Sequence, residues 1–512
     1  MLMMVMSIFF SVMSTGMMSY LTMSTQIGPW VAPVFVVVCM VFVIPFIKSK
    51  WFYEHAVVAI ASGSVGGMIG ICLGLSFPSF YVLHKNLFES WVADPVKLCF
   101  LIFGFVVCAG LYALFLSYFL RHYFLHKSDL TYPMSQLVYD VIFIDKHQKS
   151  HHRMLAGVGV ATVWNLITIS ARSSLAMYVP QIHMFPLVST VGFIAGISIV
   201  FPIVLGFCIR VFILDMVRIY SGSLVSGNSF LITFCFGMLI SLVARMIWHA
   251  WKTRNDQQVY KRTLFWHETF LKSKFFLGSY VLILAASFAL LHSFGVSAII
   301  CLYSFVAIAW LSKYMVEIIG EIGIIDVDNY VWFVLLPLLY AMAPASDVLI
   351  AVAVFSMLSL GLIVDFMFSY KLADLAQVSY RKIVRYQLFA LFSAAAIAGV
   401  FFLWFSQMWK LNNFALVGFK AHELDDVIQF GFYDYRVLLS GIVTGFLVLI
   451  MTSELLVTIG AVIMAPFTSI TLVVAGICAH LIKKKERWYP LWFGVYAGHM
   501  LWLIVQAFLY HK

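Results

Sequence analysis

Residues 346–369 read SDVLIAVAVFSMLSLGLIVDFMFS. As a helix, 24 residues extend about 36 Å at 1.5 Å each, enough to cross a hydrocarbon core of about 30 Å. After Asp347, the only charge in the run is Asp365. The stretch therefore predicts a membrane-crossing helix. It also predicts that Asp365 lies where a charge is costly.

The same reading extends outward along the chain. Apolar crossings are predicted near 3–21, 31–47, 56–80, 98–120, 154–172, 186–202, 203–220 and 229–250. A second set follows near 275–294, 297–318, 330–344, 346–369, 384–406, 436–452, 455–478 and 488–510. Pro186, Pro202 and Pro466 mark candidate broken or re-entrant pieces. The expectation is an all-α polytopic membrane protein of about 16 transmembrane helices or half-helices. Residues 1–250 form one half and 275–512 the other, joined by a basic cytoplasmic linker at 251–274.

Composition agrees. Of 512 residues, 63% are hydrophobic and 11% charged, with a mean hydropathy of +1.00. Soluble domains carry about 25% charged residues, and a soluble fold of this length could not hide so much apolar side chain. Soluble enzymes, disordered chains and disulfide-stapled secreted domains are excluded. The net charge of +10 is spread over short loops, as positive-inside topology requires, and does not form a nucleic-acid patch. All eight cysteines lie in apolar stretches without a C-x-x-C pair, and read as small buried hydrophobes. No charged residue precedes Lys48, so Met1–Leu21 reads as a retained first crossing, with methionine as its apolar filler.

Loops 251–274 and 371–385 are basic and should face the cytoplasm, whereas the acidic interval 410–436 suits the outside. Lys483, Lys484, Lys485 and Arg487 fall outside by this count. Either a segment near 455–478 does not cross, or a boundary lies elsewhere. An internal echo accompanies the two sets. Gln26-Ile27-Gly28 matches Glu321-Ile322-Gly323, Glu54 matches Asp347, and Arg153 matches Arg436. Loop charges place the matched ends on opposite sides, which would make the halves inverted; chance similarity among apolar helices is the equal alternative.

Five stretches together resemble one family. Tyr20 with Gln26-Ile27-Gly28 follows the first helix. Glu54 and Ala61-Ser62-Gly63-Ser64-Val65-Gly66-Gly67 lead to Phe77-Pro78-Ser79. Leu130-Thr131-Tyr132-Pro133-Met134-Ser135 is similar to an L-x-F-P-x-G signature, and Gly320-Glu321-Ile322-Gly323 to a G-E-T-D segment. Asp365-Phe366-Met367, Lys371 and Arg381-Lys382 follow a D-L-M-Q-D-x-K…P-R-K pattern. In order and spacing these resemble the oligopeptide transporter superfamily, which includes the yellow-stripe-like metal-chelate transporters. Departures fall at Ile322, Gly323, Phe368, Ser369 and Tyr380, so fold transfers better than substrate.

The resemblance implies a proton-coupled secondary importer of small peptides or metal-chelate complexes, working by alternating access in a plasma or bacterial inner membrane. It implies no cofactor, and pairing into a homodimer is left open. Candidate path residues are Tyr20, Gln26, Ser62, Tyr132 and Asp365. Glu317 and Glu321, four apart on one helical face, are the candidates for proton coupling, with Glu321 first. The bland alternative pairs Lys313 with Glu317 and leaves Glu321 solvated. Asp215 lies between Arg210 and Arg218, where a structural salt bridge is the simpler reading. Gly66, Gly67 and Gly70 read first as close helix packing. No Walker A motif is present.

The rival is a membrane di-iron enzyme, with His122, His126, His147, His151 and His152 in one cytoplasmic interval. Such enzymes need a third histidine box, which this sequence lacks, so the expectation is a protein that is not an enzyme.

Overall fold

Backbone that leaves water for lipid must pair its own N–H and C=O groups, and a helix does so within one segment. A computed structural model describes residues 2–25, 51–126, 130, 132–143, 148–170, 185–214, 227–252, 274–322, 327–342, 344–408, 435–452, 454–464, 466–482 and 485–509. Almost all of these are helical, and no strand occurs among the described residues. Gln26, the crossing at 31–47, Asp215, Arg218, most of the 251–274 linker and the acidic interval 410–434 lie outside them.

The helices in chain order are α1 (Leu2–Thr25), α2 (Trp51–Ser76), α3 (Ser79–Leu83), α4 (Lys85–Ala93), α5 (Pro95–His126), α6 (Pro133–Phe143) and α7 (Gln148–Ser170). Then come α8 (Phe185–Ala195), α9 (Val200–Cys208), α10 (Gly227–Lys252), α11 (Lys274–His292), α12 (Ala298–Ile322) and α13 (Val327–Met342). The chain continues through α14 (Ser346–Leu375), α15 (Tyr380–Met408), α16 (Tyr435–Met451), α17 (Leu455–Ile463), α18 (Pro466–Leu481) and α19 (Tyr489–Leu509). Six helices (α1, α2, α5, α12, α14 and α15) are long and apolar enough to cross a membrane. Large apolar side chains cover the outer surface, with Phe100 71%, Leu282 72% and Ile450 82% exposed. Water would not tolerate such a surface, and lipid does. The chain is an all-α, membrane-embedded protein.

The core is built around two helices. α14 is packed by α2, α5, α6, α12, α13 and α15. Its Asp365, Gly361 and Met357 face Ser64, Met68 and Cys72 of α2 in reverse order, so the two helices run antiparallel. On the other side of α2, α1 runs parallel to it along a small-residue seam. A Cβ at Gly66 would fall on the Ser11 carbonyl and one at Gly70 on the Thr15 carbonyl. Ser14 and Thr15 hydroxyls donate to the Gly63 and Gly66 carbonyls. The expected close packing of the Gly66–Gly70 run is what these contacts show.

A second cluster of contacts pairs distant segments. α7 packs along α19 and α10 along α16, each through facing glycines. Gly157 meets Leu491, Gly494 and Val495, while Gly237 and Gly441 meet each other. α8 packs on α18, and α9 on α17.

Two predicted boundaries are corrected. Instead of separate crossings at 186–202 and 203–220, α8 and α9 are joined by a single 3-10 turn at Gly196–Ile199, and α9 runs into a π-helical turn at Ile209–Leu214. The break falls at Gly196, whose φ of +72° is left-handed and suits glycine alone. Pro202 sits in the first turn of α9, where its missing N–H has no helical acceptor to lose. The predicted crossing at 455–478 is two pieces. α17 has nine residues, about 14 Å, and ends where Met464 turns extended (φ −61°, ψ 151°) before Pro466 opens α18. Arg210 Nη1 donates to the carbonyls of Val462 (3.1 Å), Ile463 (2.8 Å) and Met464, capping the open end of α17. This interruption bears on the misplaced basic loop, because Arg153 Nη1 donates to the Arg487 carbonyl at 2.7 Å. Residues 485–487 therefore lie beside the start of α7.

Candidate functional site

The segment before α6 sets the geometry. Tyr132 holds a left-handed φ of 46°, and Pro133 then opens α6. The Tyr132 N–H donates to the Gly320 carbonyl at 2.7 Å, one of the last carbonyls of α12 left open by the helix end. Leu130 packs on Gly320, where a Cβ would come within 2.6 Å of its Cδ1. Ser135 Oγ donates to the Phe368 carbonyl of α14 at 3.2 Å. Three stretches far apart in sequence, 130–135, 320–321 and 365–371, thus meet at one end of the bundle.

Two of the lysines at that end are paired with acids. The Lys371 ammonium lies 5.7 Å from the centre of the buried Tyr132 ring and 4.0 Å from Asp374. Lys382 at the start of α15 meets Glu54 at the start of α2 at 2.6 Å. Tyr380 donates to Asp374 at 2.8 Å, and the Arg121 guanidinium stacks 3.8 Å over Tyr118 and 5.0 Å from the Tyr380 ring. Tyr132 is 1% exposed, its hydroxyl has no hydrogen-bond partner among the described residues, and burial pushes its phenol above the ordinary range.

Inward from this end the seam between α14 and α2 reaches Asp365. Its carboxyl group is 0% exposed. Ser64 Oγ donates to Oδ1, and Oδ2 has no partner among the described residues. Ser369, one turn toward the Lys371 end, and Gln387 on α15 are also fully buried with unpartnered side-chain atoms. Unmatched polar groups in a dry core are costly. Water, a proton or a polar guest is what can satisfy such groups.

The acidic pair lies on α12. Glu317 is half-buried, and the charge of Lys313 one turn earlier acts on it, with no ion pair between the two among the described residues. Glu321, at the last turn, is exposed and directly follows Gly320. Glu454, immediately before α17, joins them: its carboxyl is in hydrogen-bonding contact with Glu321 and close to Glu317. The site is therefore a group of three carboxylates, two on α12 and one just before α17.

Of the sequence-predicted residues, the structure brings Tyr132, Asp365 and Glu321 to connected segments. It does not bring Tyr20 or Ser62 to them. Tyr20 is buried edge-on against Phe405 with ring centres 5.2 Å apart. Ser62 Oγ donates to Ser7 Oγ at 3.0 Å, within the α1–α2 seam. Gln26 lies outside the described residues, as do His147 and the side chains of His122, His126 and His151. Sequence reading missed Ser64 as the Asp365 partner, Gln387 and the engagement of Glu454. An uncharged Gln within an apolar helix and a lone Glu between two apolar segments were the available signals. An aromatic groove of about 300 Å³ between α5, α11 and α12, lined by Phe115, Tyr280 and Trp310, is separate from the seam. Compared with known protein families and with curated proteins, the chain matches no family model and no curated sequence.

Proposed function

We propose that the chain is a secondary active transporter that imports small peptides or metal-chelate complexes with protons, by alternating access. The observation that carries this reading is the antiparallel crossing of α2 and α14 around a buried carboxyl group. The 293-residue offset that relates Glu54 to Asp347 also relates Ser64 to Met357 and Cys72 to Asp365. The contacts Ser64–Asp365 and Cys72–Met357 are therefore images of one another. Met68 and Gly361, related by the same offset, face each other at the centre.

Equivalent helices that pack antiparallel are related by a two-fold axis across their length, which for spanning helices lies in the membrane plane. That is the geometry of inverted repeats. The remaining contacts pair in the same way: α1–α2 with α12–α14, α2–α15 with α14–α5, α7–α19 with α16–α10, and α8–α18 with α17–α9. Glycine contacts match Gly157 to Gly441, one residue away from the register of the Arg153–Arg436 echo. On this reading residues 1–250 and 275–512 are the two halves, and the short helices α8, α9, α17 and α18 supply the broken segments of a set of about 16 crossings and half-crossings. The end carrying Lys371, Arg381, Lys382 and Arg487 is cytoplasmic, in a plasma or bacterial inner membrane.

The resemblance to the oligopeptide transporter superfamily supports the substrate class, since its motif segments 130–135, 320–321 and 365–371 converge. Glu321, in contact with Glu454 beside Glu317, can hand a proton between carboxyl groups. The test is an uptake screen in reconstituted vesicles across di- to pentapeptides and iron chelates. Uptake driven by an inward proton gradient is expected, and its absence for every substrate sinks the reading. Glu321→Gln should remove the dependence on the gradient, and unchanged dependence refutes that role.

A further inference from the structure

We propose that Asp365, held by the Ser64 hydroxyl where α2 crosses α14, is itself a proton-binding acid that is loaded from the Lys371–Lys382 end of the bundle. This deepens the transport reading and rests on it for its use, but proton binding at Asp365 can be measured without any substrate.

The geometry argues against a purely structural carboxylate. A structural buried carboxylate is held by a cation or by several donors, whereas Asp365 has one neutral donor on Oδ1 and none on Oδ2 among the described residues. The nearby cations are committed elsewhere: Lys371 to Asp374, Lys382 to Glu54, and Arg121 to the Tyr118 and Tyr380 rings. On α2 the titratable group within reach of its charge is the buried Cys72 thiol, which donates to the Met357 carbonyl. The other helices packed on α14 carry Tyr112 and Arg121 on α5, Asp140 on α6, Lys313 and Glu317 on α12, Tyr330 on α13, and Tyr380, Arg381, Lys382 and Arg385 on α15, and none of these makes a hydrogen bond or ion pair with Asp365 among the described residues. A carboxyl group so placed must be neutralised by proton uptake or by a bound cation. A metal ion would need five or six oxygen ligands, whereas a proton needs only the free Oδ2.

The step balances simply. The carboxylate takes one proton from hydronium, an O–H bond forms at Oδ2, and a water molecule is released. Ser64 continues to donate to Oδ1 throughout. Release is the reverse. Ser369 lies one turn from Asp365 on the same face of α14, toward the end where the Tyr132 hydroxyl is also unpartnered. The fully buried Gln387 amide on α15 adds a further unpartnered group in the core. Ser369 and the Tyr132 hydroxyl give water places to hydrogen-bond between that end and the acid.

The test is infrared difference spectroscopy of the full-length protein in lipid, with pH jumps and isotope-labelled aspartate side chains. A carbonyl stretch of a protonated aspartic acid should appear on acidification and be lost in Asp365→Asn. Ser64→Ala removes a donor that favours the charged form, so it should move the titration of that band to higher pH and shift its frequency. A band that survives unchanged in Asp365→Asn overturns the proposal. So does a band that answers to sodium and not to pH. If Asp365→Asn does not fold, an unaltered spectrum in Ser64→Ala overturns it equally. Loss of uptake with an intact titrating band would refute the transport reading and leave this site standing.

Discussion

Replacing Gly66 by alanine probes the seam that holds α1 to the core. The added Cβ falls on the Ser11 carbonyl and within 2.7 Å of Ser14 Oγ, and the first of these is helix backbone that cannot swing aside. α1 must move away from α2, which stretches the Ser14→Gly63 and Thr15→Gly66 hydrogen bonds. Overpacking costs about 1–3 kcal/mol and two weakened hydrogen bonds about 0.5–1.5 kcal/mol each, against about 1 kcal/mol regained in helix propensity. The net loss is about 1–5 kcal/mol by the same magnitudes. Gly159→Ala is the control, because nothing lies within 4 Å of a Cβ there and only the propensity gain applies. Unfolding in mixed micelles with rising dodecyl sulfate, followed by tryptophan fluorescence, should place Gly66→Ala well below wild type and Gly159→Ala at or above it. Equal midpoints for wild type and Gly66→Ala would refute the packing argument.

Two further outcomes follow from the topology and its ion pairs. Single cysteines replacing Glu54 and Arg487 should label with an impermeant maleimide from one side of sealed vesicles, and a cysteine replacing Asp347 from the other. Labelling of Glu54→Cys and Asp347→Cys from the same side would end the inverted arrangement. The Glu54–Lys382 pair is half-exposed on the lysine side, so a double-mutant cycle should give a coupling of about 0.2–1 kcal/mol. The exchanged pair Glu54→Lys with Lys382→Glu should recover most of the loss of either single change. A coupling several times larger would mean that the pair is more deeply desolvated than its contacts indicate.

Much of the fold was legible because lipid imposes a simple rule: long apolar runs must be helices. α2, α5, α14 and α15 follow their predicted spans closely. The interrupted segments were harder to read. Proline is conspicuous in a sequence, yet Pro202 is harmless in a first turn, and the actual break depends on Gly196 adopting a left-handed φ. Asp365 could be picked out because its charge stands alone in an apolar run. Its partner Ser64 could not, since one serine among several small residues gains meaning only when α14 is set against α2. Glu454 escapes notice for the same reason: its contact with Glu321 joins positions 133 residues apart. Tyr20 and Ser62 belong to stretches singled out by the family resemblance, and in the structure both side chains sit in helix packing.

The seam between α2 and α14 has a further consequence for energetics. A protein of two interchangeable halves would have mirror-image inward and outward states of equal free energy, and would rest half in each. Here the mirror is chemically imperfect. A carboxyl group meets a hydroxyl on one side of Met68 and Gly361, while a thiol meets a backbone carbonyl on the other. On the proposed alternating-access reading, one conformer would bear the cost of the acid's charge differently from its counterpart, and the degeneracy would be lifted at that point. If the proposed transport cycle holds, the resting orientation of the molecule would become a function of pH, set by one side chain that has no twin.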